Sequence, residues 1–391
     1  MKKFYRISFF IAVLLLISFT IISCSTNDKE ETDSLYNEGP SSNANGREGT
    51  AEHEAIPQET VKIEPYWPTE EWRKASPESA GMDSSYLVDM FRYIEGEHIP
   101  MEGFLIVKDG YIVAEKYGGA YSEGAPHPIY SVTKSLASAA VGAAIKEGEI
   151  NSVDEKALHY LEAEKVTDLN DWKNKLTIKH LLTMKSGLDF PEQSQKGFYE
   201  SDTWKNFMDS EDPAYYIMNR PVRSDRDSWS YSTGDARVVS KIIQEATGSP
   251  LSDYMQERVF DPLGIKGVEW PSDRSGTSFG GIGVKMKPRD MARFGYLYLK
   301  GGKWEDEQIL PEGWVEESTQ PYGDTNGNFD GSKYGYYFWL KSVKGYDTYR
   351  AMGLYGQYIV VVPELDLVVV QTSSGMDVDP LLEEYIIPSM K

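Results

Sequence analysis

Residues 131–146 read SVTKSLASAAVGAAIK. Ala and Leu are frequent, Gly142 is the only glycine, and Gly148 follows as a stop signal. A helix beginning at Ser131 is expected on these grounds. Residues three apart share a helix face, which brings the Lys134 amine toward the Ser131 hydroxyl. A serine hydroxyl needs a base before it attacks a carbonyl, and a lysine in a dry pocket can shed its proton and serve. The helix N-terminus adds positive potential where an oxyanion would develop. Ser-x-x-Lys occurs nowhere else in the chain. Taken alone, the pattern equally suits an ordinary helix cap.

The sequence around this helix sets the fold class. Before it, Phe104-Leu-Ile-Val and Tyr111-Ile-Val-Ala flank Lys108-Asp109-Gly110, a β-hairpin whose Asp-Gly supplies the positive-φ turn. Earlier still, Ser76 to Gly96 reads as a helix, with Tyr86, Leu87, Met90, Phe91 and Ile94 at helical spacing. After it, residues 153–263 are mostly helical patches broken by Pro and Gly; Ile178–Met184 and Val238–Thr247 each end at a glycine. Near the end, Tyr336–Leu340, Gln357–Val362 and Leu367–Thr372 are apolar, β-branched and aromatic, as strands are. Strands at both ends with helices between them predict an α+β fold: one antiparallel sheet built from both termini, flanked by helices, with a helical insertion at about 150–270. The cleft between the two parts is the expected site.

The 391-residue chain carries a formal net charge of -21, which repels nucleic acid. Its first residues hold Lys2, Lys3 and Arg6, then an apolar run from Ile7 to Ile22 that ends in Ser23-Cys24. That is a leader layout, and the residues before Cys24 resemble a bacterial lipobox, in which the cysteine is lipidated and becomes the mature N-terminus. Cys24 is the only cysteine, so the chain has no intramolecular disulfide and no thiolate metal cluster. Residues 25–65, rich in Ser, Asn, Glu and Gly, read as a disordered acidic tether, and 66–391 as the folded domain. Membrane attachment through a lipid on the extracytoplasmic face is the expected location.

Histidine usage removes a competing mechanism. The five histidines are His53, His98, His127, His159 and His180. Gly276-Thr-Ser278-Phe-Gly280 spells a nucleophile elbow, but that arrangement needs a histidine later in the chain, and none follows His180. Ser278 therefore reads as loop and His180 as a packed helix residue. No His-x-x-x-His or carboxylate–histidine cluster marks a metal site, and no cofactor is implied.

With the Ser-Lys pair established, the chain resembles the serine β-lactamase and penicillin-binding protein superfamily, in its class C-like, 6-aminohexanoate-dimer hydrolase-like branch. Four stretches carry the resemblance: Ser131-Val-Thr-Lys134, Leu176 to Leu188 with its Ser186-Gly187 turn, Trp229-Ser-Tyr231-Ser-Thr-Gly-Asp235, and Gly353-Leu-Tyr-Gly356-Gln357 before a strand. The resemblance implies the β-lactamase/transpeptidase-like fold and Tyr231 as a second base or proton relay beside Ser131 and Lys134. It also implies an oxyanion hole from the backbone amides of Ser131 and Gln357, and a substrate wall including Thr233, Leu354, Tyr355 and Gly356. Two residues depart from the pattern. Thr233 stands where the Tyr-x-Asn motif has Asn, offering one hydroxyl in place of an amide. Leu354 stands where a cation or imidazole would meet a substrate carboxylate. The expected substrate is a small ester or amide, a peptide included, cleaved by esterase or amidase chemistry in preference to efficient β-lactam hydrolysis. The competing reading is a binding or sensor lipoprotein that kept the fold and lost turnover. Tyr130, Trp204 and Trp229 are further aromatic candidates for the site wall.

The lipobox reading predicts that the parent protein partitions into the detergent phase and that Cys24→Ala does not. Equal aqueous partitioning of both forms would rule it out.

Overall fold

The computed structural model describes residues 66–195, 197–325 and 332–391. These fall within one compact unit, Glu59–Lys391. The leader, the lipidation position Cys24 and the tether at 25–65 lie outside the described residues.

An antiparallel sheet of eight strands forms the backbone of the fold. Its members are β1 (Met101–Lys108), β2 (Tyr111–Tyr117), β3 (Gly323–Asp324), β4 (Lys333–Tyr334), β5 (Trp339–Val343), β6 (Tyr346–Gly353), β7 (Gln357–Val362) and β8 (Leu367–Ser373). The spatial order is β2-β1-β8-β7-β6-β5-β4-β3, so the first hairpin pairs with the last strand, as expected of a sheet built from both ends. Asp109 (φ 51°) and Gly110 (φ 84°) form the turn of that hairpin.

The central strands are apolar at nearly every position because both faces of the sheet are covered. Leu105, Val107, Ile359, Val361, Val368 and Val370 face the large core shared with the helical part. Phe104, Ile106, Val360, Val362 and Val369 face a second core with Leu87, Met90 and Ile94 of α1 (Ser84–Gly96) and Leu382 and Ile386 near the C-terminus. The helix expected from Ser76 begins only at Ser84. Pro77 opens a short 3-10 turn that Gly81 ends at φ 73°, and Asp83 then caps α1 through the Ser85 amide.

On the large-core side lie α2 (Val132–Glu147), α3 (Ile178–Leu182), α4 (Asp202–Asp209), α5 (Pro213–Met218), α6 (Thr233–Thr247), α7 (Leu251–Met255) and α8 (Pro288–Leu299). Helix α8 packs across β1, β7 and β8, and α2 lies between the sheet and α6. Every residue of α2 from Val132 to Ala144 is buried. That explains its composition, since a helix surrounded by protein has no face to make polar. Gly148, at φ 76°, terminates it. Gly142 is a packing requirement: a Cβ there would lie 2.7 Å from the Trp314 ring.

Gly142→Ala therefore sets a helix-propensity gain of about 1 kcal/mol against overpacking that typically costs about 1–3 kcal/mol. The net expectation is a lower urea midpoint with an unchanged m-value. A raised midpoint would show that Trp314 yields without cost.

Candidate active site

The chain enters the site from Ile129, whose amide donates to Val284 O at 3.0 Å. Tyr130 then adopts φ 46°, an uncommon conformation for a residue with a Cβ. The Thr133 hydroxyl donates to Tyr130 O at 2.6 Å, which holds the turn. Ser131 occupies the N-cap position of α2, but its hydroxyl caps nothing. Instead it accepts from Lys134 Nζ at 3.0 Å. The same amine donates to Thr233 Oγ1 at 3.0 Å and to Gly281 O at 2.9 Å. Three acceptors match the three protons of an ammonium. Lys134 is 1% exposed. Burial drives its pKa down to about 8, against an opposing pull from the Glu192 carboxylate.

Tyr231 lies two residues before α6, with the Lys134 amine 4.8 Å from its ring centre. It stacks on Trp339 at 5.8 Å and packs against Trp229 at 6.3 Å. Burial first, then Tyr334 and Glu192, push its pKa well above the ordinary phenol value, and a hydrogen bond with Ser131 only partly opposes this. At neutral pH Tyr231 is therefore a phenol that carries its proton.

Two groups at the site carry no motif in the sequence. Glu192 and Tyr199 sit at the two ends of a tiny ribbon in which Gln193–Ser194 pairs with Gly197–Phe198, closed by Tyr199 N donating to Glu192 O at 3.0 Å. Tyr199 (φ 65°) hydrogen-bonds Ser131, and burial raises its pKa. Glu192 is 5% exposed, accepts the Thr233 amide on Oε2 at 3.2 Å, and has no partner on Oε1 among the described residues. Burial pushes its carboxyl upward, while the Lys134 charge pulls it down.

Above Ser131 lies a cavity of about 220 Å³. Tyr199, Tyr231, Trp339, Met352, Leu354 and Tyr355 form most of its wall. Tyr355 is 54% exposed at the rim and meets Tyr130 edge-on at 5.3 Å. Of the expected wall residues, Leu354, Tyr355 and Gly356 line the cavity, whereas Thr233 lies behind Lys134. Trp204 and Trp229 pack in the large core or against it, not on this wall. Gln357 opens β7, and its side-chain amide is spent on Leu354 O and Ser373 O, at 3.1 and 2.6 Å. Its strand partner Gly353 has no room for a Cβ, which would lie 2.3 Å from Ile129 O. That close approach sets the end of β6, and Gln357 with it, beside the strap that carries Ser131. A larger hollow of about 550 Å³ near Tyr298 and Tyr349 holds two lysines, Lys333 and Lys341, both paired to aspartates.

The remaining motif residues serve the architecture. Ser278 is buried; its hydroxyl bonds Ser252, and its carbonyl accepts from Arg237 and Ser240. His180 caps α3 in a reciprocal pair with Thr177 and packs on Trp172. Asp235, fully buried, accepts the Ser186 hydroxyl at 2.8 Å and the Ser232 hydroxyl at 2.9 Å, tying the Ser186-Gly187 turn to α6. Among the described residues no group of three or more His, Cys, Asp or Glu side chains could hold a metal ion.

The beta-lactamase family model matches residues 90–386, and the chain belongs to that family. Membership makes it part of a serine-hydrolase-related enzyme family, with a relationship to the 6-aminohexanoate-dimer hydrolase branch. It is 25% identical over 295 residues to the 6-aminohexanoate-dimer hydrolase of Paenarthrobacter ureafaciens, spanning 71% of this chain and 74% of that one. Its fold is similar to an octameric penicillin-binding protein homologue from Pyrococcus abyssi, with a TM-score of 0.60 at 20% identity over 76% and 75% of the two chains. It is similar also to a D-stereospecific amidohydrolase from Streptomyces sp., with a TM-score of 0.60 at 15% identity over 78% of this chain and 99% of that one.

Burial raises the Asp235 pKa to about 7, above its ordinary 3.8, despite the two serine donors. The folded state thus holds a proton that the unfolded state has released. Stability from this group is complete below about pH 4 and is lost as pH rises through about 7, by a few kcal/mol in all. Asp235→Asn mimics the protonated acid, so its melting temperature is expected to exceed the parent's at pH 8, by less at pH 5, and to converge with it below about pH 4. Parallel curves across that range would contradict a neutral Asp235.

Proposed function

We propose that the protein is a serine hydrolase that cleaves small esters or amides with an apolar acyl part, through an acyl-enzyme on Ser131. The observation that carries the proposal is the buried Lys134 amine, 3.0 Å from Ser131 Oγ, with its pKa near 8. A base poised near neutrality is what proton abstraction from a serine requires. Lys134 takes the hydroxyl proton as Oγ attacks the carbonyl. Tyr231, held as a phenol against Ser131, passes a proton to the departing group and is reprotonated through Lys134. The amides of Ser131 and Gln357 receive the oxyanion by analogy with the family. Water then attacks the ester, and the same groups act in reverse.

The wall supports the substrate class. Tyr199, Tyr231, Trp339, Met352 and Leu354 present aromatic and aliphatic surface, and among the described residues no cation lines the cavity. A substrate carboxylate, as in a β-lactam or a D-peptide, meets no ion-pair partner among these residues. The proposal includes a lipid anchor at Cys24 and an extracytoplasmic location, on the strength of the leader sequence alone.

A fluorophosphonate probe with intact-mass detection tests the assignment and separates turnover from mere binding. The parent is expected to gain one adduct, at a rate that rises with pH through about 8 as Lys134 loses its proton. Ser131→Ala is expected to gain none and Lys134→Ala almost none. Tyr231→Phe is expected to fold normally and lose about 10²–10⁴ in turnover. Parent-like labelling of Ser131→Ala, or its loss in Ser278→Ala, would overturn the choice of nucleophile.

A further inference from the structure

Lys134 has to give up a proton before it can act, and its surroundings offer that proton a destination. Its amine donates to Thr233 Oγ1 at 3.0 Å. Thr233 in turn sits on Glu192. Its amide donates to Glu192 Oε2 at 3.2 Å, which sets its side chain beside the same carboxylate, where it favours the charged form. The hydroxyl proton is free for this, because the oxygen is the acceptor toward Lys134. Glu192 Oε1 is buried and has no partner among the described residues. A carboxylate left half-satisfied in a dry interior is costly unless its charge is neutralised.

We propose that Thr233 and Glu192 form an internal proton relay behind Lys134, with Glu192 as the store. One Lys134 N–H bond breaks as its proton passes to Thr233 Oγ1, while the Thr233 hydroxyl proton passes to Glu192. An ammonium–carboxylate pair becomes an amine and a carboxylic acid, with Thr233 unchanged and no redox partner required. Among the described residues, the groups facing Glu192 are Lys134 from α2, Tyr199 from the ribbon, Tyr231 ahead of α6 and Tyr334 from β4. The three tyrosines are raised by burial and stay neutral, so Lys134 is the only member of that set that exchanges charge with it near neutral pH. The relay gives the Asn-to-Thr departure at position 233 a purpose: a hydroxyl accepts one proton while donating another along the same line, which an amide does less readily. Both are positioning residues, since they act through Lys134 and touch no substrate. The inference rests on the reading of Ser131 and Lys134 given above.

The test is the pH dependence of fluorophosphonate labelling in the full-length protein, with folded fraction measured by circular dichroism. Glu192→Gln removes the charge that holds the proton on Lys134. The labelling limb is expected to move to lower pH, and the plateau to fall about three- to tenfold, because the free amine becomes a weaker base. Thr233→Val, close in shape, is expected to cost tenfold or more in the parent but less than threefold in the Glu192→Gln background, since a broken relay is not broken twice. Thr233→Ser is expected to label within threefold of the parent. A limb that stays in place in Glu192→Gln, or Thr233→Val costs that multiply across the two backgrounds, would overturn the relay while a silent Ser131→Ala leaves the hydrolase reading intact. Parent-like labelling of Ser131→Ala would instead remove the reading on which the relay depends.

Discussion

A lysine amine with almost no exposure, 3.0 Å from a serine oxygen, is the feature around which the molecule is arranged. Dehydrating an ammonium is expensive, and a protein meets that cost by surrounding the charge with acceptors or by letting it neutralise. Here both routes are open. Ser131, Thr233 and Gly281 supply three oxygens, and burial brings the pKa down to about 8, so the charged and neutral forms are close in energy. A surface lysine at the same spacing would stay charged and useless as a base. Helix α2 is therefore buried from Val132 to Ala144, and its Ala-rich composition follows from that requirement as much as from helix propensity.

The sheet and the helical part contribute different halves of the site. The helical side brings Lys134, Tyr231 and Thr233, together with the loop carrying Gly281. The sheet side brings Gln357, Leu354 and Tyr355 through the β6–β7 turn. They meet at Gly353, where the absence of a Cβ lets the Ile129 carbonyl approach. Asp235 has a comparable role within the helical part, joining the Ser186-Gly187 turn to α6 through two serine hydroxyls.

The elements legible in the sequence were those whose local signal agrees with their surroundings. Helix α2 and its Gly148 stop, the Asp109-Gly110 hairpin and strands β7 and β8 are of that kind, and so is the α+β layout. Strand β6, Tyr346–Gly353, was not visible, because Asp347 and Arg350 interrupt its apolar pattern. Arg350 is buried nonetheless, paired with Asp379 at 2.6 Å, a partner 29 residues away that no local window contains. The strand expected at Tyr336 begins at Trp339, because Tyr337 takes φ 63° and the Tyr336 and Tyr337 amides are used by Ser318 and Leu182. At the site, Ser131, Lys134 and Tyr231 come together as their motifs suggested. Glu192 and Tyr199 escaped notice: they sit in an irregular stretch, joined by a two-rung ribbon, and acquire meaning only through contact with residues on other elements.

The β6–β7 turn separates two kinds of requirement. Gly353 and Gly356 are fixed by backbone: one faces the Ile129 carbonyl, and the other, at φ 92°, faces the Met376 carbonyl at a spacing no Cβ tolerates. Leu354, between them, lines the cavity. Mutational drift at that one position can exchange an aliphatic wall for a charged one while the Ser131–Lys134 pair and the strand register stay as they are. On the proposed hydrolase reading, substrate preference in such a scaffold is modular: a new specificity lies a single codon away.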